Sequence, residues 1–63
     1  MNRIKKILEE KGITQTWLAD KLGKTFNTVN CYVRNHRQPS LETLFRIAKI
    51  LEVDPRELID KDD

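Results

Sequence analysis

The stretch that decides the fold runs from residue 15 to residue 32 and has the sequence QTWLADKLGKTFNTVNCY. Its apolar residues recur at intervals of three and four on either side of Gly23, at Leu18, Leu22, Val29 and Tyr32. This spacing is typical of amphipathic α-helices, and a glycine between two such segments favours a tight turn. We therefore predict a helix-turn-helix over about residues 14–35.

Threonines precede both of these helices at the position where an N-cap is expected. Thr14 and Thr25 each carry a hydroxyl that can accept a hydrogen bond from a free N–H of the first turn. The helix that Thr25 caps is expected to end at Asn35, since asparagine tolerates a positive φ angle better than most residues.

Three more helices are predicted in the flanking sequence, which gives an all-α, compact five-helix domain. The first starts near Asn2, a suitable cap, and ends at Gly12. Ser40 caps the fourth, and Asp54 with Pro55 starts a short fifth helix. We expect the core to consist of Ile4, Ile7, Leu8, Leu18, Leu22, Val29, Tyr32, Leu41, Leu44, Ile47, Ala48, Leu51 and Leu58, with Ile59 as a further candidate.

The 63 residues make one domain, residues 1–63, whose acidic end at residues 61–63 is expected to fray. No apolar run approaches the roughly 20 residues of a membrane span, and no signal peptide is evident, so a cytoplasmic location without membrane contact is expected. One cysteine and one histidine cannot supply a disulfide or a four-ligand zinc site. We expect neither a metal nor a cofactor.

Charge is distributed unevenly along the chain, whose formal net charge is +2. Residues 1–49 contain ten lysines and arginines against four acids, whereas residues 50–63 contain two bases against six acids. A basic body with an acidic end suits a polyanionic partner, although a solvated surface with an acidic end has the same composition.

The chain resembles the helix-turn-helix domains of the lambda-repressor and Cro type, also called the xenobiotic-response-element (XRE) family. The resemblance covers nearly the whole chain and rests on residues 13–15, 18–23, 25, 28–29, 39–44, 47–49 and 53. It implies a five-helix domain whose third helix enters the major groove of DNA. The sequence departs from the usual family pattern at Trp17, Lys24, Val33 and Asn35.

By matching position, the resemblance implies two sets of DNA contacts. Those facing base edges are Phe26, Asn27, Thr28, Asn30 and Cys31, of which Asn27 is the best candidate because an amide can pair bidentately with adenine. Phe26 suits apolar contact with a thymine methyl group. Those facing phosphates are Gln15, Lys24, Arg34, His36 and Arg37.

Several of these residues have alternative interpretations. Phe26 can fold back onto the core. Trp17 can be partly buried on the protein's own surface or can lie in an interface. Cys31 in a basic groove suggests a redox sensor, but a small inert residue is the simpler interpretation. His36 in a loop can be an exposed polar residue without a partner.

The expected function is sequence-specific binding of double-stranded DNA by a transcriptional regulator, most simply a repressor. Such a domain normally binds an inverted-repeat operator as a homodimer. We expect the dimer contact on a carboxyl-terminal patch of Leu51, Val53, Leu58 and Ile59.

Other roles use the same domain. An antitoxin with a toxin partner and a restriction-system controller both have it, and a protein–protein adaptor can keep the fold without binding DNA. The sequence offers no catalytic constellation, so we do not expect an enzyme.

Overall fold

The structure is a computed structural model that describes residues 2–59, so the prediction for residues 61–63 lies outside the described range. Four α-helices follow one another: α1 (Ile4–Lys11), α2 (Gln15–Leu22), α3 (Phe26–Val33) and α4 (Leu41–Leu51). A 3-10 turn at Pro55–Leu58 follows α4. Over residues 2–59 there is no strand, only an isolated antiparallel bridge between Asn2 and Ile59. No helix in that range is long and apolar enough to cross a bilayer.

Three helices begin at the hydroxyl caps expected from the sequence. The hydroxyl oxygens of Thr14, Thr25 and Ser40 accept hydrogen bonds from backbone N–H groups at 3.1 to 3.2 Å. Each bond satisfies a donor that the first helical turn leaves without an intrahelical partner.

The start of α1 differs from the prediction by one position. Arg3, not Asn2, is the cap residue, and it makes no side-chain cap bond. Asn2 nevertheless reaches the helix, since its Oδ1 accepts the N–H of Ile4 at 3.1 Å.

The turn between α2 and α3 depends on a left-handed residue at Gly23. Its φ is 70°, a conformation that costs an L-residue with a side chain about 1 to 2 kcal/mol. A Cβ atom built on Gly23 meets nothing within 4 Å, so the backbone conformation and not crowding requires glycine. Beside this turn Arg46 of α4 donates from Nη2 to the carbonyl of Leu22 at 3.1 Å, which ties α4 to the end of α2.

The predicted short fifth helix is confirmed only in part, because residues 55–58 form a single 3-10 turn and the described chain has four α-helices. The Asp54–Glu57 capping box is present, but the N–H of Glu57 donates to Asp54 three residues back, at 2.8 Å. The chain then leaves the helical conformation because the carbonyl of Leu58 accepts the N–H of Arg3 at 2.9 Å. The Asp54 cap and the bond from Arg3 to Leu58 thus enclose four residues, which is too short for a second helical turn.

The core forms along one face of each helix, as the apolar period predicts. Its residues are Ile4, Ile7, Leu8, Leu18, Ala19, Leu22, Val29, Tyr32, Val33, Leu44, Ile47, Ala48, Leu51 and Leu58. The predictions for Leu41 and for the further candidate Ile59 are wrong, since these side chains are 63% and 43% exposed. Leu41 lies on the flank of α4 with Phe45, four residues later, outside the arc that packs against α2 and the 3-10 turn.

Candidate nucleic-acid interface

One face of α3 remains exposed while the opposite face enters the core. Val29, Tyr32 and Val33 are buried. The outward face carries residues spaced three, four and seven apart, which are Asn27, Asn30, Cys31 and Arg34. Asn27 and Arg34 are exposed, and Asn30 and Cys31 are half-buried. The helix therefore presents two amides, a thiol and a guanidinium along a single line.

The first turn of α3 places the two flanking candidates differently. Phe26 is 48% exposed, so the alternative that it folds back onto the core is wrong. Thr28 is half-buried, and its hydroxyl lies 3.0 Å from that of the cap residue Thr25. Thr28 thus takes part in the cap that fixes the beginning of α3.

A direct hydrogen bond connects α2 to this exposed face. Asn30 Nδ2 donates to Gln15 Oε1 at 2.9 Å, across fifteen residues of sequence. Gln15 is the first residue of α2, where backbone N–H groups and the positive end of the helix dipole favour an anion. Gln15 therefore both orients the Asn30 amide and lies at a suitable position for a phosphate.

Four of the predicted residues meet in one groove together with a lysine that sequence reasoning missed. The lining residues are Lys5, Gln15, Asn30, Val33, Arg34, Asn35 and His36. Lys5 comes from the exposed face of α1, opposite Ile4 and Ile7. The apolar pattern of α1 predicts that Lys5 is exposed, but only the packing of α1 against α3 shows that it lines the same groove as Arg34.

This groove is basic, and its cations form no ion pair among the residues that the structure describes. Within residues 2–59 neither Lys5 nor Arg34 forms an ion pair, and the recorded ion pair joins Arg56 to Asp54 at 2.8 Å beside the 3-10 turn. There the Asp54 carboxylate, through its hydrogen bond and charge, raises the pKa of Arg56. Uncompensated cations in a concave surface attract an anion.

The remaining phosphate candidates do not line the groove. Lys24 is half-buried in the turn between α2 and α3, which agrees with a packed aliphatic stem. Arg37 is exposed, and its backbone N–H donates to the Cys31 carbonyl at 3.3 Å. That bond and a second one from the N–H of His36 at 2.9 Å fold the loop back onto the end of α3.

Trp17 lies on α2, partly buried against the protein's own surface. It is 42% exposed and lines a shallow groove with Gly12, Ile13 and Thr14. The ammonium of Lys21 lies 5.4 Å from the centre of its ring, within the range of a cation–π contact.

The arrangement of α2, the turn and α3 matches a known family. A model of helix-turn-helix proteins matches residues 4–58. The chain belongs to this family. The family is the XRE type, so the resemblance drawn from residues 13–53 is confirmed.

Two curated relatives of this helix-turn-helix protein come from Bacillus subtilis (strain 168). It is 40% identical over 50 residues to YqaE, an uncharacterized HTH-type transcriptional regulator. The aligned region covers 79% of this chain and 43% of YqaE. It is 31% identical over 61 residues to the HTH-type transcriptional regulator ImmR. The aligned region covers 97% of this chain and 48% of ImmR. The chain therefore spans about half the length of these relatives.

Two solved structures share the fold over nearly the whole chain. A crystal structure from Bacteroides fragilis, described as that of a candidate DNA-binding protein, is 48% identical with a TM-score of 0.94, covering 95% of this chain and 97% of that one. The restriction-modification controller protein C.AhdI from Aeromonas hydrophila is 30% identical with a TM-score of 0.81, covering 89% and 85%.

Proposed function

We propose that this helix-turn-helix protein binds double-stranded DNA with α3 in the major groove and regulates transcription. The observation that carries the proposal is the exposed polar line of α3 next to a basic groove whose Lys5 and Arg34 form no ion pair with any residue of the range 2–59. The relatives, two of which are transcriptional regulators, support a regulator over an adaptor that does not bind DNA.

Base contacts come from the amino-terminal half of α3. Asn27 is exposed in the first turn, and its amide suits N6 and N7 of adenine. Asn30 follows one turn later, with its amide oriented by Gln15. Phe26, whose ring is half-exposed, contacts a thymine methyl group, and Thr28 and Cys31 line the same surface.

Phosphate contacts surround this line and hold α3 in the groove without selecting a sequence. One DNA strand is contacted by Gln15 at the start of α2 and by the groove cations Lys5 and Arg34. His36 lies beside them in the same groove. Lys24 precedes α3 and Arg37 follows it, so they contact further phosphates on either side.

The experiment that tests the function is selection of bound sequences from random duplex DNA. Enrichment of one motif, arranged as an inverted repeat, is the expected result. Failure to bind any duplex at low salt would contradict the proposal and would favour the adaptor.

An inverted repeat requires two copies of the chain, and α4 offers the surface. The patch predicted from the sequence is wrong in part, because Leu51 and Leu58 are buried in the core. The large apolar side chains exposed on α4 are Leu41 and Phe45, at 63% and 51%. They lie one turn apart on a helix that packs mainly against α2 and the 3-10 turn.

Charge along this face of α4 fits a second copy of the chain. Glu42 lies three residues before Phe45, and Lys49 lies four residues after it, both exposed. In an antiparallel pair related by a two-fold axis near Phe45, Glu42 of each copy meets Lys49 of the other. The α4 face is thus self-complementary in its exposed apolar residues and in its charges.

We expect Phe45→Glu to abolish dimer formation without unfolding the domain, since it places a charge at the centre of the contact on an already exposed position. Sedimentation on a palindromic duplex should show the wild type binding as a cooperative pair, whereas the variant should fill the two half-sites independently and only at higher concentration. Ile59→Glu is the control, because Ile59 is the exposed large apolar residue of the other surface, at 43%. If Ile59→Glu dissociates the dimer and Phe45→Glu does not, the contact lies at the carboxyl-terminal patch instead.

A further inference from the structure

Three amide side chains form a hydrogen-bonded cluster, here called the amide cluster, made of Asn2, Asn35 and Gln38. The backbone N–H of Asn2 donates to Asn35 Oδ1 at 2.8 Å, and Asn2 Nδ2 donates to Gln38 Oε1 at 3.0 Å. Gln38 Nε2 donates back to Asn35 Oδ1 at 3.1 Å. The cluster thus joins the segment before α1 to the loop after α3.

Asn2 is the centre of this cluster and is almost completely buried, at 9% exposure. Its Nδ2 also donates to the Tyr32 carbonyl at 2.9 Å, at the end of α3. Its Oδ1 accepts from Ile4 at the start of α1. No buried side-chain polar atom of the described residues lacks a partner, so the cluster is fully satisfied. Asn35 is half-buried and Gln38 is exposed, so Asn2 is the buried part of the cluster. A buried amide whose hydrogen bonds are all made favours one arrangement of the segments that it joins.

The residue type at position 35 points to the same role. Asn35 has a φ of 59°, a left-handed conformation that glycine adopts at lower cost. If the backbone conformation were the only requirement at position 35, glycine would be the more favourable residue. The asparagine side chain adds the bonds to Asn2 and Gln38 that glycine cannot make.

The cluster borders the basic groove through Asn35. Lys5 follows Asn2 by three residues, and Arg34 and His36 are the two neighbours of Asn35. All three line the groove, together with Asn35 itself. Lys5 and Arg34 carry like charges, so placing both along one groove costs electrostatic free energy, which hydrogen bonds between the segments that carry them help to offset.

We propose that the amide cluster positions Lys5 opposite Arg34 and His36, so that cations from α1 and from the loop after α3 bind the same stretch of phosphate backbone. This inference rests on the proposed DNA binding. Asn2, Asn35 and Gln38 are positioning residues that act through the groove cations. Holding the cations in place before binding removes part of the ordering cost of the complex.

The first test is Asn35→Gly, with binding to a random-sequence duplex of about 20 base pairs measured over a range of salt concentrations. We expect binding about three- to tenfold weaker for all sequences, and a smaller dependence of log affinity on log salt by about one unit, because one phosphate contact is no longer held. Thermal unfolding should change little, since relief of the left-handed asparagine offsets the lost hydrogen bonds.

Glu52→Gly is the matched control. Glu52 is the other non-glycine residue with positive φ among residues 2–59, at 58°, and it ends α4. The same backbone relief occurs there without any loss of the amide cluster. Removing an acid increases the attraction to DNA, so the control should bind at least as tightly as the wild type. Asn35→Gly binding with the wild-type affinity and salt dependence would overturn the proposal.

The second test separates positioning from a general structural effect by combining Asn35→Gly with Lys5→Ala. If the cluster places Lys5, the lysine substitution should weaken binding in the wild-type chain and have little further effect in the Asn35→Gly chain. Independent, additive losses would overturn the inference. A wild-type chain that binds no duplex refutes the proposed function itself, whereas a wild type that binds and variants that match it refute only the role of the cluster.

Discussion

Ile47→Ala is expected to leave the domain largely unfolded at room temperature. Ile47 is completely buried on α4, at the centre of the core. Truncating a buried isoleucine to alanine costs about 2 to 5 kcal/mol, because the transfer free energy of the lost atoms adds to that of the cavity. A single core in a chain of this size supplies only about 3 to 5 kcal/mol of net stability. Circular dichroism during denaturant titration measures the loss of helix.

Leu41→Ala on the same helix is the control for this result. Leu41 is exposed, and a substitution at such a position usually changes the free energy of unfolding by about 0.5 kcal/mol or less. The comparison is made at a dilution where sedimentation shows a monomer, so that the α4 face has no partner. Equal unfolding midpoints for the two variants would mean that α4 does not pack as described.

The second large effect is the contrast between Asn27→Ala and Arg34→Ala. If Asn27 pairs with adenine, its truncation should cost about 1 to 3 kcal/mol on the selected operator and should relax the preference at one base pair per half-site. Binding to random duplexes should change little, because the amide makes no phosphate contact.

Arg34→Ala should instead weaken binding to all sequences alike. Each neutralised phosphate releases condensed counterions, so the loss of one contact should reduce the salt dependence by about one unit per monomer. Salt titrations of both variants on specific and random duplexes measure the difference. Identical behaviour of the two variants would contradict the placement of α3 in the groove.

The features that the sequence predicted well depend on local interactions. Thr14, Thr25 and Ser40 lie three residues before the N–H groups that they bind, so position in the chain determines the contact. The buried faces of the helices follow from the 3.6-residue period in the same way. Exposure of Asn27 is predicted equally well, since it lies opposite Val29 and Val33 on α3.

The features that the sequence did not predict depend on contacts between distant segments. The Gln15–Asn30 bond and the place of Lys5 in the groove arise only when α1, α2 and α3 have packed. The 3-10 turn has the same origin. Its capping box predicts a helix start correctly, but the bond from Arg3 to Leu58 determines where the segment ends.

The amide cluster also has a consequence for the rates of folding. It connects residues 33 to 36 positions apart, whereas α2 and α3 are consecutive in the chain. Contacts between neighbouring segments form early, because closing a short loop loses less entropy than closing a long one. The transition state for folding should therefore contain the α2–α3 pair without the cluster. On that basis Asn2→Ala leaves the folding rate nearly unchanged and accelerates unfolding, so Asn2 governs how long the folded domain persists more than how fast it forms.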